Sequence, residues 1–137
     1  MLKRAATCLA GLWCGMLLGV GVVGAPAGFA VAPLEIAGRS AARMFAIEAH
    51  ASLAIAVVLL LALRRLTPKG SIDTNLLLVL GSLFFTITGY FVLQPLMAAA
   101  RAGEGVLSFG ALHGLSAAFF ALKAVLVLAL AWRLTSA

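Results

Sequence analysis

The sequence predicts an all-α integral membrane protein: a four-transmembrane-helix bundle with short hairpin loops and one longer outer connection after helix 1. Three observations carry that expectation. Of 137 residues, 64% are hydrophobic and only 10% charged, with a mean hydropathy of +1.18. The apolar residues gather in four runs of 19 to 26 residues, each long enough to cross a hydrocarbon core of about 30 Å. None of the runs alternates with the period of two that a membrane β-strand needs. Soluble chains carry about 45–50% apolar residues, and a chain this short has too much surface for its volume to hide the excess from water. Lipid is therefore the solvent, and these residues leave no room for a separate soluble catalytic domain.

The first run covers residues 5–23 and stops at Gly24-Ala25-Pro26. Met1-Leu2-Lys3-Arg4 ahead of it and the small residues after it resemble a cleavable signal peptide. The run is longer than a usual signal core, however, and Gly11, Gly15 and Gly19 form two successive GxxxG spacings suited to close helix packing. It is expected to stay as a span, with homodimerisation through this face or packing on another membrane protein. Cys8 and Cys14, six residues apart, point about 240° away from each other on a helix and are expected as free thiols. Residues 25–40 contain Pro26, Pro33 and Gly38 among apolar residues, which predicts an interfacial or partly re-entrant connection. The second, third and fourth runs cover 41–63, 76–98 and 107–132. Arg64, Arg65, Lys69 and Gly70 mark one hairpin turn, and residues 99–105 mark the other. Trp13 and Trp132 are expected near span ends.

The net charge of +6 would point to nucleic acid in a soluble protein. Here the bases sit between apolar runs, so nucleic acid is not an expected partner and the bases report topology instead. Lys3, Arg4, Arg64, Arg65, Lys69 and Arg133 lie on one side, and Arg39, Arg43 and Arg101 on the other. The positive-inside rule then places both termini in the cytoplasm, for a bacterial chain across the inner membrane.

Polar residues inside spans cost about 2.5–3.5 kcal/mol each when charged, so they narrow the search for a site. Glu48, His50, Tyr90, Gln94 and His113 are expected as a cluster in the outer leaflet. Ser82, Thr86, Tyr90 and Gln94 recur every four residues as a polar stripe on span three, with Glu48 and Ser52 making a shorter one on span two. Glu48 and His50, two residues apart, point about 200° away from each other, and Glu48 is expected to meet Arg39 or Arg43. Lys123, on the face of His113 and Ser116, has no carboxylate expected at its depth and is assigned to snorkel toward the headgroups. Three readings of the cluster follow: hydrogen bonding that fixes the bundle, an outward-open vestibule for a proton, metal ion or small cation, and haem b held between His50 and His113. Gly110 and Gly114 add another GxxxG beside His113. No phosphate loop, HExxH, GxSxG or carboxylate pair is present, so no catalytic residue is assigned and the expectation leans away from an enzyme. Met16, Met44 and Met97 are too scattered for a soft-metal relay.

Several segments together resemble a known family. They are Trp13-Cys-Gly15-Met, Gly24-Ala-Pro26-Ala-Gly-Phe29, Ala37-Gly38, Met44-Phe45-Ala-Ile-Glu48-Ala and Phe109-Gly-Ala-Leu-His113-Gly114-Leu-Ser116. In order and spacing, over roughly residues 9–134, they are similar to the transmembrane protein 205-like family. The resemblance implies a four-helix integral membrane protein and supplies no activity. The expected role is thus a non-enzymatic bundle that meets a partner or solute, with a haem-bearing redox protein or a small-cation or metal transport component as alternatives.

Overall fold

The computed structural model describes residues 1–136. It contains four long apolar helices: α1 (Leu2–Val31), α2 (Leu34–Leu66), α3 (Thr74–Arg101) and α4 (Phe109–Ser136). Among the described residues there is no strand. The helices form a ring in which α1 packs on α2 and α4, and α3 packs on the same two neighbours. The chain is an integral membrane protein of four spans.

The connection after α1 differs from the sequence expectation. Residues 25–31 continue α1, Leu34 already opens α2, and only Ala32 and Pro33 separate the two helices. The proline ring drives the residue before it out of the helical region, and Ala32 accordingly has φ −120° and ψ 154°. Helix on both sides satisfies backbone groups that a re-entrant loop would leave open in lipid. The two other connections, residues 67–73 and 102–108, are each longer than this one. Their tight reversals rest on Gly70 (φ 84°), Gly103 (φ 77°) and Gly105 (φ 93°), a region in which a Cβ is strained.

Prolines inside α1 and α3 are accommodated by the same device. A helical proline lacks an N–H and its ring collides with the carbonyl four residues back. For Pro26 that carbonyl belongs to Val22, and for Pro95 to Phe91. Both lie in wide π-helical turns, Gly19–Gly24 and Ile87–Val92, which move the carbonyl out of the way.

The main core lies in the half of the bundle nearer the termini. Ala6, Ala10, Trp13, Cys14 and Leu17 of α1 pack with Ala56, Leu59 and Leu63 of α2, Leu76 and Val79 of α3, and Val127, Leu130 and Leu134 of α4. The opposite half holds a smaller cluster of Leu93, Met97 and Leu112 from α3 and α4 alone. Between these lies the layer that carries the chemistry.

Candidate functional site

Glu48 and Lys123 are buried at the same depth because α2 starts at Leu34, seven residues before its apolar run, while α4 starts at Phe109, close to the start of its own. Glu48 is fourteen residues from Leu34, and Lys123 is fourteen residues from Phe109. At 1.5 Å per residue each sits about 21 Å inside the same end of the bundle. The α2 helix gains its extra turns from residues 34–40, the segment expected as loop, and this brings a carboxylate level with Lys123.

The two side chains meet across the diagonal of the ring. Lys123 Nζ donates to Glu48 Oε1 at 2.7 Å, and their side chains are 4% and 2% exposed. Ser52, one helical turn after Glu48, donates its hydroxyl to the same oxygen. Trp13 Nε1 of α1 in turn donates to Ser52 Oγ at 2.8 Å. Trp13 and Ser52 are fully buried. The Lys123 stem passes Phe120, whose ring centroid is 5.1 Å from Nζ and which meets Phe45 edge-on at 5.2 Å. Among the described residues no buried side-chain nitrogen or oxygen lacks a partner.

This chain of donors explains how charge survives in lipid. An ionised group alone in a low-dielectric interior is strongly unfavourable, while an ion pair with further hydrogen bonds offsets much of the desolvation. The long lysine stem, expected to carry its ammonium to the headgroups, spans the ring interior instead. Glu48 does not meet Arg39 or Arg43: Arg39 lies 3.8 Å from Glu35, both exposed on the first turns of α2.

The expected outer cluster is divided. His50, two residues beyond Glu48, is exposed; its Nδ1 lies 2.7 Å from the Ala46 carbonyl oxygen, and its ring packs near Phe91 (5.1 Å) and Tyr90 (6.4 Å). His113 is exposed on α4 and stacks on Phe109 at 5.6 Å, with the Arg101 guanidinium over the other ring of that pair at 4.4 Å from the Phe109 centroid. Tyr90 and Gln94 are half-buried. The structure thus brings His50 to Tyr90, takes Glu48 inward, and leaves each histidine on the outer surface beside its own aromatic neighbours. The two histidines of the haem alternative are both exposed, on α2 and α4, helices that are not neighbours in the ring. Among the described residues no three His, Cys, Asp or Glu side chains form a metal-binding group.

The polar stripe of α3 also ends early. Beyond Thr86 the helix enters the π turn Ile87–Val92, and from there Leu93 and Met97 take the buried positions while Gln94 is only half-buried. Ser82 and Thr86 are buried, but their hydroxyls return to the carbonyls of Leu78 and Ser82, both at 2.8 Å. Ser116 instead crosses between helices, donating to the Gly89 carbonyl at 2.7 Å inside the π turn. At Gly89 a Cβ would stand 2.9 Å from Phe119 Cβ, so α3 and α4 approach closely there only because the residue is glycine. By contrast, a Cβ at Gly11, Gly15, Gly19, Gly110 or Gly114 would meet nothing within 4 Å. Those spacings face away from the chain.

Trp13 is the site residue that spacing did not single out. It sits in the interior, not near a helix end, whereas Trp132 is 72% exposed. The signal for the pair itself was available: Glu48 and Lys123 are the opposite charges most deeply placed in the apolar runs, and lipid makes such charges seek each other.

A family model described as Domain of unknown function (DUF4149) matches residues 8–105, which takes in Trp13, Glu48 and Ser52 and stops before His113 and Lys123. No curated protein and no solved structure matches the chain. With most of its length matched, this four-span membrane protein belongs to the DUF4149 family.

Proposed function

We propose that the protein is a non-enzymatic membrane bundle whose role is to associate with a membrane partner, in the first instance a second copy of itself. The observation that carries this reading is the contrast among its glycines. Gly21, Gly81 and Gly89 let neighbouring groups of the same chain approach, whereas Gly11, Gly15 and Gly19 line an outward face of α1 with no atom near enough to use them. In lipid, helices associate through such small-residue faces by close packing. The Glu48–Lys123 pair acts as an internal latch between α2 and α4, and through Ser52 and Trp13 it holds the presenting helix α1 in place. The likeness to transmembrane protein 205-like chains accords with this role and adds no activity to it. Both termini are assigned to the cytoplasmic side of an inner membrane, on the strength of six bases at their end against three at the other.

Exposed Cys8 lies about 20° from Gly15 around α1, so it reports on this face, while Cys14 is buried. Oxidative cross-linking through Cys8 in liposomes should give a dimer that Gly15→Ile abolishes with unchanged thermal stability. Wild-type protein that stays monomeric at every density would remove the proposal.

A second reading rests on the interior pair: opened, Glu48 and Lys123 would offer a charge-compensated site for a proton or small cation. Proteoliposomes with a pH-sensitive dye test it. Wild-type flux that Glu48→Gln abolishes would favour transport over association.

A further inference from the structure

We propose that the groove between the end of α2 and the start of α3 binds an anionic phospholipid, with an acyl chain along its walls and the phosphate on Arg64. The groove is shallow and open along its length, with a volume of about 370 Å³. Its walls include Leu61, Ile72 and Leu80, which are 63%, 74% and 47% exposed and continuous with the lipid-facing surface. Arg64 is one of its lining residues and is itself exposed. The guanidinium is held there by one hydrogen bond, from Nη1 to the Ser71 carbonyl at 2.9 Å, in the turn that Gly70 permits. Five N–H donors in a planar fork leave Arg64 able to grip a phosphate while keeping that anchor.

Charge complementarity selects the occupant. Lys3, Arg4, Arg64, Arg65, Lys69 and Arg133 crowd this end of the bundle, against a single acid, Asp73. Asp73 is engaged with Asn75 Nδ2 at 2.9 Å, and Arg133 with Asn75 Oδ1 at 3.0 Å. Among the described residues no carboxylate forms an ion pair with Arg64, Arg65 or Lys69. An apolar slot leading to an uncompensated guanidinium at membrane depth matches a lipid, which supplies chain and phosphate together. A soluble anion would use only the guanidinium.

The test uses the full chain in neutral detergent, with thermal unfolding followed as phosphatidylglycerol or phosphatidylcholine of identical acyl chains is added. Phosphatidylglycerol should stabilise the protein at lower concentration than phosphatidylcholine. Arg64→Gln should weaken its apparent affinity about fivefold, the weight of one base near an anionic surface. Arg101→Gln, at the other end, should leave it unchanged, and Leu80→Trp, which fills the groove with the charge intact, should weaken it as well. Equal response to the two lipids, an unchanged preference in Arg64→Gln, or the same stabilisation by inorganic phosphate alone would each overturn the proposal.

Discussion

The half of the bundle nearer the termini and the half beyond the charged layer are built differently, although the same four helices run through both. Near the termini, thirteen buried residues from all four helices form one apolar cluster, from Ala6 to Leu134. Beyond the layer, the cluster shrinks to Leu93, Met97 and Leu112 of two helices. That half instead contains both π turns, their prolines, both histidines and the Ser116–Gly89 hydrogen bond. The first half is set by side-chain packing, and the second by adjustments of the backbone and by single polar links. The Glu48–Lys123 pair stands at their boundary and joins α2 to α4, helices that are not neighbours in the ring.

Substitutions can break that contrast in graded steps. The largest effect is expected at the boundary: Glu48→Ala or Lys123→Ala leaves a buried charge without its partner and should lower stability by about 3–5 kcal/mol in equilibrium unfolding by dodecyl sulfate. In the terminal half, Leu59→Ala removes a fully buried side chain that touches a continuous core and should cost about 2–5 kcal/mol, with Leu93→Ala in the smaller cluster at or below the lower figure. Gly89→Ala forces a Cβ against Phe119 and should cost about 1–3 kcal/mol, whereas Gly11→Ala should leave unfolding of the single chain unchanged. Ser116→Ala should cost about 1 kcal/mol, the worth of one hydrogen bond. If Leu93→Ala proved costlier than Leu59→Ala, the division into a packed half and an adjustable half would fail.

What could be read from the sequence follows the same division. Four spans and an all-α bundle were legible because lipid imposes them through apolar length, and length survives uncertainty about helix ends. The site was legible only as a set of residue types. Glu48 and His50 were correctly turned to different sides, since a helix rotates 200° over two residues. Depth failed, because it depends on where α2 begins: Leu34-Glu35-Ile36-Ala37-Gly38-Arg39-Ser40 reads as a connection by Gly38 and the preceding Pro33, yet forms two turns of helix. Seven residues displace Glu48 by about 10 Å, enough to hide the partner of Lys123. Trp13 stayed hidden for another reason: which face of α1 looks inward depends on helix rotation, and glycine spacing marks an outward face as readily as an inward one.

The central claim is that Glu48 and Lys123 act as one unit across the bundle. A double-mutant cycle of Glu48→Gln and Lys123→Met, measured by equilibrium unfolding in mixed micelles, tests it most directly. The pair predicts a coupling of about 1–3 kcal/mol, with the double variant clearly more stable than the sum of the two single losses implies. Single losses that add to within about 0.5 kcal/mol would mean that the two charges stand independently, and the interior latch would be contradicted.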